Sequence, residues 1–158
     1  MDAVTANETP TRSNLVFGLG REEYAIDIAL VQELCSYGPV TQLANTPGFI
    51  KGVVNLRGII VPLIDLRISL GVGTPTYNDS TVVIMLSIAD AITGIVVDRV
   101  ADVVALEPAH IRPAPQMHQA ASAHVMAVGS IDERMLIMLN IEAMLHDLLT
   151  LPAPALAA

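Results

Sequence analysis

The residues of this 158-residue chain that could do covalent or acid–base chemistry are four histidines, a single cysteine and scattered serines. His110, His118, His124 and His146 are dispersed, and the step from His118 to His124 matches no common zinc spacing. With no second thiolate to complete a set, neither a metal nor any other cofactor is expected. Cys35 as a nucleophile would need a neighbouring cation to lower its pKa, and its own segment is acidic. Ser69, Ser87 and Ser130 lie in apolar or turn contexts, away from any nucleophile elbow. Gly18-Leu19-Gly20 precedes neither a phosphate-binding lysine nor a helix N-terminus, so it is not a nucleotide loop. Glu22-Glu23 reads as a solvated pair at a turn tip. Met85, Met126, Met135, Met138 and Met144 read as core filler. No catalytic residue can be assigned, and a small β-barrel enzyme remains only a distant alternative. The chemistry left to the chain is recognition.

The stretch that could display a recognition group is residues 46–67. Its middle is punctuated by Asn55 and Arg57-Gly58 between β-branched flanks, the pattern of a hairpin in which Gly58 supplies a positive φ. Residues 59–64 are apolar at every position, which predicts a strand covered on both faces. Pro62 donates no ladder hydrogen bond, so it belongs at an edge, a bulge or a corner. Arg57 is the one charge at the turn, held on a rigid platform. Gly52 and Gly58 read as backbone necessities, where a side chain would distort the hairpin.

Composition bounds the rest. A hydrophobic fraction of 53% over this length fits one domain with a sizeable core. The mean hydropathy of +0.56 is high, but Asp27, Asp65, Asp90, Asp98 and Glu142 interrupt every apolar run short of the roughly 18–20 residues of a membrane helix. Met1 to Arg12 is polar, without a basic-then-apolar leader, so direct membrane insertion is not expected and the cytoplasm is. The net charge of −8 and 3% aromatic content argue against nucleic-acid binding. A single cysteine fits a reducing compartment.

In chain order, residues 13–19 and 24–27 form a hairpin, and residues 28–34 a short helix capped by Asp27, with Ile28, Val31 and Leu34 at three-residue spacing. Residues 40–43 read as a short strand, and residues 65–70 as a helical turn stopped by Gly71. The second half repeats this plan. Residues 81–88 and 92–97 make a hairpin, Val100-Ala101-Asp102-Val103 follows Val31-Gln32-Glu33-Leu34 by 69 residues, and Asn140-Ile141-Glu142 follows Asp65-Leu66-Arg67 by 75. Strands at 125–130 and 135–139 flank a turn near Asp132-Glu133. The expected organisation is a flexible N-terminus (1–12), a single mostly β domain (13–150) of two small intertwined barrels, roughly 13–75 and 80–145, and a flexible tail (151–158). Residues 107–124, with three prolines, read as a long loop.

At this point the motifs resemble those of the CheW family. They begin with residues 14–28 and Val31-Gln32-Glu33. Residues 45–58, with Asn55-Leu56-Arg57-Gly58 and Ile64-Asp65-Leu66-Arg67, follow. Then come Tyr77-Asn78-Asp79, residues 94–100 with Val97-Asp98-Arg99, and Ile111-Arg112-Pro113-Ala114-Pro115. The likeness covers about residues 14–149. It implies two SH3-like five-stranded β-barrels on a shared apolar core, with short helices, and a non-catalytic adaptor of bacterial chemotaxis. Such a protein would couple the cytoplasmic tip of methyl-accepting chemoreceptors to the regulatory domain of the histidine kinase CheA, recruited to membrane-associated arrays. The family's receptor-contacting positions fall on Val31, Glu33 and Arg57, with Ile28 and Val100 as groove neighbours. Arg57 would donate charge-assisted hydrogen bonds to the receptor and Glu33 would be its acidic complement; alternatively the two pair with each other. Val40, Leu43, Ile60 and Leu63 are the candidates for the kinase contact. A chemosensory pathway controlling pili or second messengers is the alternative setting.

Overall fold

The computed structural model describes residues 12–72, 75–113 and 124–149. The expectations for the N-terminal segment, His118, the middle of the 107–124 loop and the C-terminal tail lie outside the described residues.

The elements are mostly strands. β1 (Arg12–Leu19) and β2 (Glu22–Asp27) form a hairpin, followed by a 3₁₀ turn (Ile28–Leu30) and β3 (Val31–Ser36). β4 (Ile50–Leu56) and β5 (Ile59–Asp65) lead into α1 (Leu66–Leu70). β6 (Val82–Ile88), β7 (Ala91–Val97) and β8 (Arg99–Leu106) come next, then a 3₁₀ turn (Pro108–His110) and the short β9 (Ile111–Pro113). β10 (Val125–Ile131), β11 (Arg134–Leu139) and α2 (Ile141–Leu149) complete the chain.

The strands make two sheets, ordered β8-β1-β2-β11-β10-β9 and β3-β6-β7-β5-β4. The internal repeat is visible in this order. In each sheet a central hairpin is flanked on one side by an edge strand and on the other by a strand parallel to it, β11 on β2 and β5 on β7. The strands of the two halves interleave. The hairpin β6-β7 is sandwiched between β3 and β5 of the first half, and β1-β2 between β8 and β11 of the second. The reason lies in the connectors. Even the shortest common hairpin loop has two residues, and Asp98 alone separates β7 from β8. The strand cannot fold back on its predecessor and passes into the other sheet.

Alternation along each central strand feeds two cores at once. Leu15, Phe17 and Leu19 of β1 and Ile84 and Leu86 of β6 enter one large cluster, joined by Ile26, Ile64, Ile95 and Met144, which unites both sheets with α1 and α2. The intervening Val16, Ala25, Leu106, Leu136 and Met138 line the first sheet. Val61, Leu63, Val83, Met85 and Val96 line the second. Near-continuous apolar strands such as residues 82–86 are therefore buried on both faces.

Two local expectations change. The helix over residues 28–34 stops at Leu30, with Asp27 Oδ1 accepting from Ala29 N–H at 2.9 Å. Residues 31–36 are a strand whose burial alternates, Val31, Glu33 and Cys35 half-buried and Leu34 48% exposed. The three-residue spacing was overridden by pairing with β6. Residues 40–43 contribute only one bridge, Thr41 to Val53, rather than a strand.

Candidate functional site

The β4–β5 turn is two residues long, with Leu56 opposite Ile59. Both turn residues have positive φ, +50° at Arg57 and +91° at Gly58. The Asn55 side chain stabilises it by accepting the Gly58 N–H at 2.7 Å. Arg57 thus sits on a defined tip, its side chain 66% exposed, and donates to both carboxylate oxygens of Glu33. Glu33 lies on β3, so its placement on a helix is corrected. The two opposite edge strands of the second sheet are linked at this point.

Hydrogen bonds from Arg57 hold the Glu33 carboxyl below the ordinary glutamate range, against partial desolvation and assisted by the Cys35 thiol at 3.5 Å. Burial and the Glu33 carboxylate push the Cys35 thiol up, so it stays protonated. A depressed folded-state pKa means a contribution to stability that is fully present above the unfolded value and lost as pH falls through the folded one. A carbon-detected titration should therefore place the Glu33 midpoint below the ordinary glutamate value, and Arg57→Ala should raise it. An unchanged midpoint in that variant would remove the ion pair as the cause.

Ile28, Val31 and Val100 are each partly buried and pack against the large cluster shared by the two sheets. They come from the β2–β3 connection, β3 and β8 respectively, so all five proposed receptor-face residues lie on elements near the crossings between sheets or along the β3 seam. The other group is less uniform. Val40 packs against the second sheet's inner cluster, while Leu43 and Ile60 are exposed. Leu63 is 1% exposed and pairs with both Gly52 and Gly94, so it is core and cannot contact a partner directly. Residues 59–64 are likewise not covered throughout: Ile59 and Ile60 extend beyond β7, whose pairing with β5 begins at Leu63. Pro62 sits one position before that pairing, where its missing N–H costs nothing.

Gly52 has φ +140°, and a Cβ there would stand 2.2 Å from the Thr41 carbonyl oxygen. A Cβ on Gly58 meets open space, so only the positive φ constrains that position.

Two polar clusters carry structure that the sequence did not disclose. Arg134 of β11 donates to both oxygens of Asp102 on β8 and of Glu23 on β2. Glu23 is therefore half-buried in an ion pair rather than freely solvated. Arg67, 2% exposed, pairs with fully buried Asp65 and with Asp98 at 2.7 Å, while Tyr77 O–H donates to Asp65. The available signal was a charge within an otherwise apolar segment, at Asp65, Arg67 and Asp98.

Among the described residues no group of histidine, cysteine, aspartate and glutamate could hold a metal. A cavity of about 340 Å³ opens between Asn14, Leu106, Met126 and Met138, and none of the five receptor-face residues lines it. No helix among those residues is long and apolar enough to cross a membrane.

Two interleaved β-sheets on one shared apolar core, with Arg57 displayed on a two-residue turn, define a mostly β class of protein. The model of the CheW-like domain matches residues 13–149. The chain is 49% identical to the chemotaxis protein CheW of Klebsiella aerogenes, over 90% of this chain and 86% of that one. It is 29% identical to protein FrzA of Myxococcus xanthus, over 80% and 79% of the respective chains. The crystal structure of the scaffolding protein TtCheW from Thermoanaerobacter tengcongensis superposes with a TM-score of 0.77 at 31% identity, covering 83% of this chain and 90% of that one. The chain belongs to the CheW-like domain family, non-catalytic adaptors of bacterial chemotaxis signalling that couple chemoreceptors to the kinase CheA.

Proposed function

We propose that the protein binds the cytoplasmic tip of methyl-accepting chemoreceptors through Val31, Glu33, Arg57, Ile28 and Val100, and the regulatory domain of CheA through a separate surface of the second sheet. The observation that carries the receptor assignment is Arg57, two-thirds exposed on a rigid turn and bonded to Glu33 of β3, the strand that also carries half-buried Val31. Its pairing with Glu33 does not exhaust it. A guanidinium has five N–H donors, and two of its nitrogens engage Glu33, leaving further N–H groups for a carboxylate or carbonyl on a receptor helix. Half-buried Ile28, Val31 and Val100 supply the apolar seat for helix-in-groove packing.

Exposed Leu43 and Ile60, with Val40 at their edge, are proposed as the kinase contact; Leu63 supports them from within. The protein would act in the cytoplasm, drawn to membrane-associated arrays by these contacts. A pathway controlling pili or second messengers is the weaker reading, since identity is 49% to the Klebsiella chemotaxis protein and 29% to FrzA.

The test is co-sedimentation of the purified protein with receptor-containing membranes, with and without CheA. The parent protein is expected to pellet with receptors, bring CheA down and raise kinase output. Folded Arg57→Glu is expected to bind receptors about tenfold more weakly, like-charge repulsion replacing attraction to Glu33 and to the receptor. Undiminished receptor binding by that variant would remove Arg57 from the receptor face.

A further inference from the structure

The chain leaves the first sheet after Asp27 and returns to it after Asp98, so the whole second sheet is an insertion held at two crossings. At the second crossing Asp98 joins three parts of the molecule. Its N–H donates to Gly18 O at 3.1 Å, and its Oδ2 accepts the Gly20 N–H at 2.6 Å. Its Oδ1 accepts from Arg67, whose other nitrogen atoms are fixed on buried Asp65. The neighbouring Arg99 donates to Gly20 O at 2.9 Å and lies across Gly18, where a Cβ would stand 2.2 Å from the guanidinium carbon. Both the N–H and the C=O of the β1–β2 turn are thereby tied to the connector, and through Arg67 to α1 on the second sheet.

The first crossing lies at the far end of β2 from Gly20. Six residues of strand put the two attachments roughly 20 Å apart. The shared apolar cluster holds the sheets together, but its attraction is non-directional and leaves more freedom of alignment than a directed bond does. Two-point attachment removes that freedom, and the charge-assisted bonds at Asp98 form the second point. Val100, two residues beyond Asp98 on the first sheet, keeps its placement relative to Val31 on the second only while both attachments hold.

We infer that Asp98 is a positioning residue for the receptor face, setting the placement of the first sheet relative to the second through Gly20 and Arg67. This rests on the receptor-face assignment above. The experiment labels Ser87→Cys and Ser130→Cys, exposed positions on β6 and β10, with nitroxides in a Cys35→Ser background and measures the distance between them by pulsed electron resonance. The parent should give one narrow distance. Asp98→Ala should broaden or shift it while unfolding remains cooperative, and receptor affinity should fall about tenfold if the aligned arrangement drops to about a tenth of the population. Asp98→Asn, which keeps one acceptor oxygen, should shift the distance in the same direction by less, and it serves if the alanine variant does not fold. Met144→Ala, destabilised within the shared core, should keep the narrow distance. An unchanged distance in the folded Asp98 variants, or equal broadening in Met144→Ala, would overturn the inference while leaving the receptor assignment intact. A parent protein that fails to bind receptors would overturn that assignment and this role with it.

Discussion

Asp65→Ala is expected to cost about 3–5 kcal/mol of folding stability, the largest effect of any single substitution considered, because it strands a buried cation. Asp65 is fully buried and accepts from the Arg67 backbone N–H at 2.9 Å, from its Nε at 3.0 Å and from its second terminal nitrogen at 2.9 Å. Burial pulls the Arg67 pKa down, but hydrogen bonds to Asp65 and Asp98 outweigh it and hold the guanidinium charged. Removing Asp65 leaves that charge with one carboxylate, Asp98, besides the Thr76 carbonyl and the Tyr77 ring 4.8 Å away. It also removes the N-cap of α1 and the acceptor of the Tyr77 hydroxyl. Urea unfolding measures the loss. Two further results separate the causes. The Tyr77 phenol, raised by burial and by its bond to Asp65, should titrate lower in the variant yet still above an ordinary tyrosine. Replacing both partners, Asp65→Leu with Arg67→Met, should recover much of the stability, since the cost comes from an uncompensated charge. A double variant as unstable as the single one would refute that account.

Gly52→Ala is expected to cost about 2–4 kcal/mol, combining backbone strain with overpacking. Its φ of +140° is one that side chains rarely tolerate, and the new Cβ would meet the Thr41 carbonyl at 2.2 Å and a Val40 methyl at 2.7 Å. The obstacle is backbone, held by reciprocal hydrogen bonds between Thr41 and Val53 of 3.0 and 2.8 Å, so it cannot swing aside as a side-chain tip could. Gly94 offers the contrast within the same sheet. There the obstacles are side-chain tips, a Leu63 methyl at 2.5 Å, a Val83 methyl at 3.0 Å and the Met85 sulfur at 3.2 Å, and no positive φ adds strain, so an alanine is expected to cost less. Gly52→Ala should also weaken the kinase contact proposed at Val40 and Leu43, since the Thr41 bridge holds that segment against β4. Melting temperatures of the two glycine variants settle the order, and equal losses would mean that the Thr41 segment yields.

Much of the element plan was legible in the residues. Turn chemistry at Arg57-Gly58, Ala89-Asp90 and Asp132-Glu133 marked hairpins, and all six of these positions have positive φ. The caps Asp27, Asp65 and Gly71 fall where helical turns begin or end. Local rules served these features because a turn or cap is decided within four or five residues. Residues 31–36 escaped because short apolar spacing suits helix and strand alike, and only the presence of β6 alongside decides between them. Leu63 escaped for a similar reason: an unbroken apolar run does not say where its covering neighbour starts.

By itself the sequence determined a repeated set of hairpins, edge strands and terminal helices, a chain without a catalytic constellation, and motifs that mark its family. The tertiary structure alone decided which half's hairpin lies in which sheet, because β3 and β8 take their places by pairing with β6 and β1, strands far from them in the chain. It also decided between the two readings of Glu33 and Arg57, which meet each other, and it alone decided that Glu23 meets Arg134 and that Asp98 meets both Arg67 and Gly20. Residues 24 to 111 positions apart in the chain are brought within hydrogen-bonding distance by packing, and no local spacing rule reaches that far.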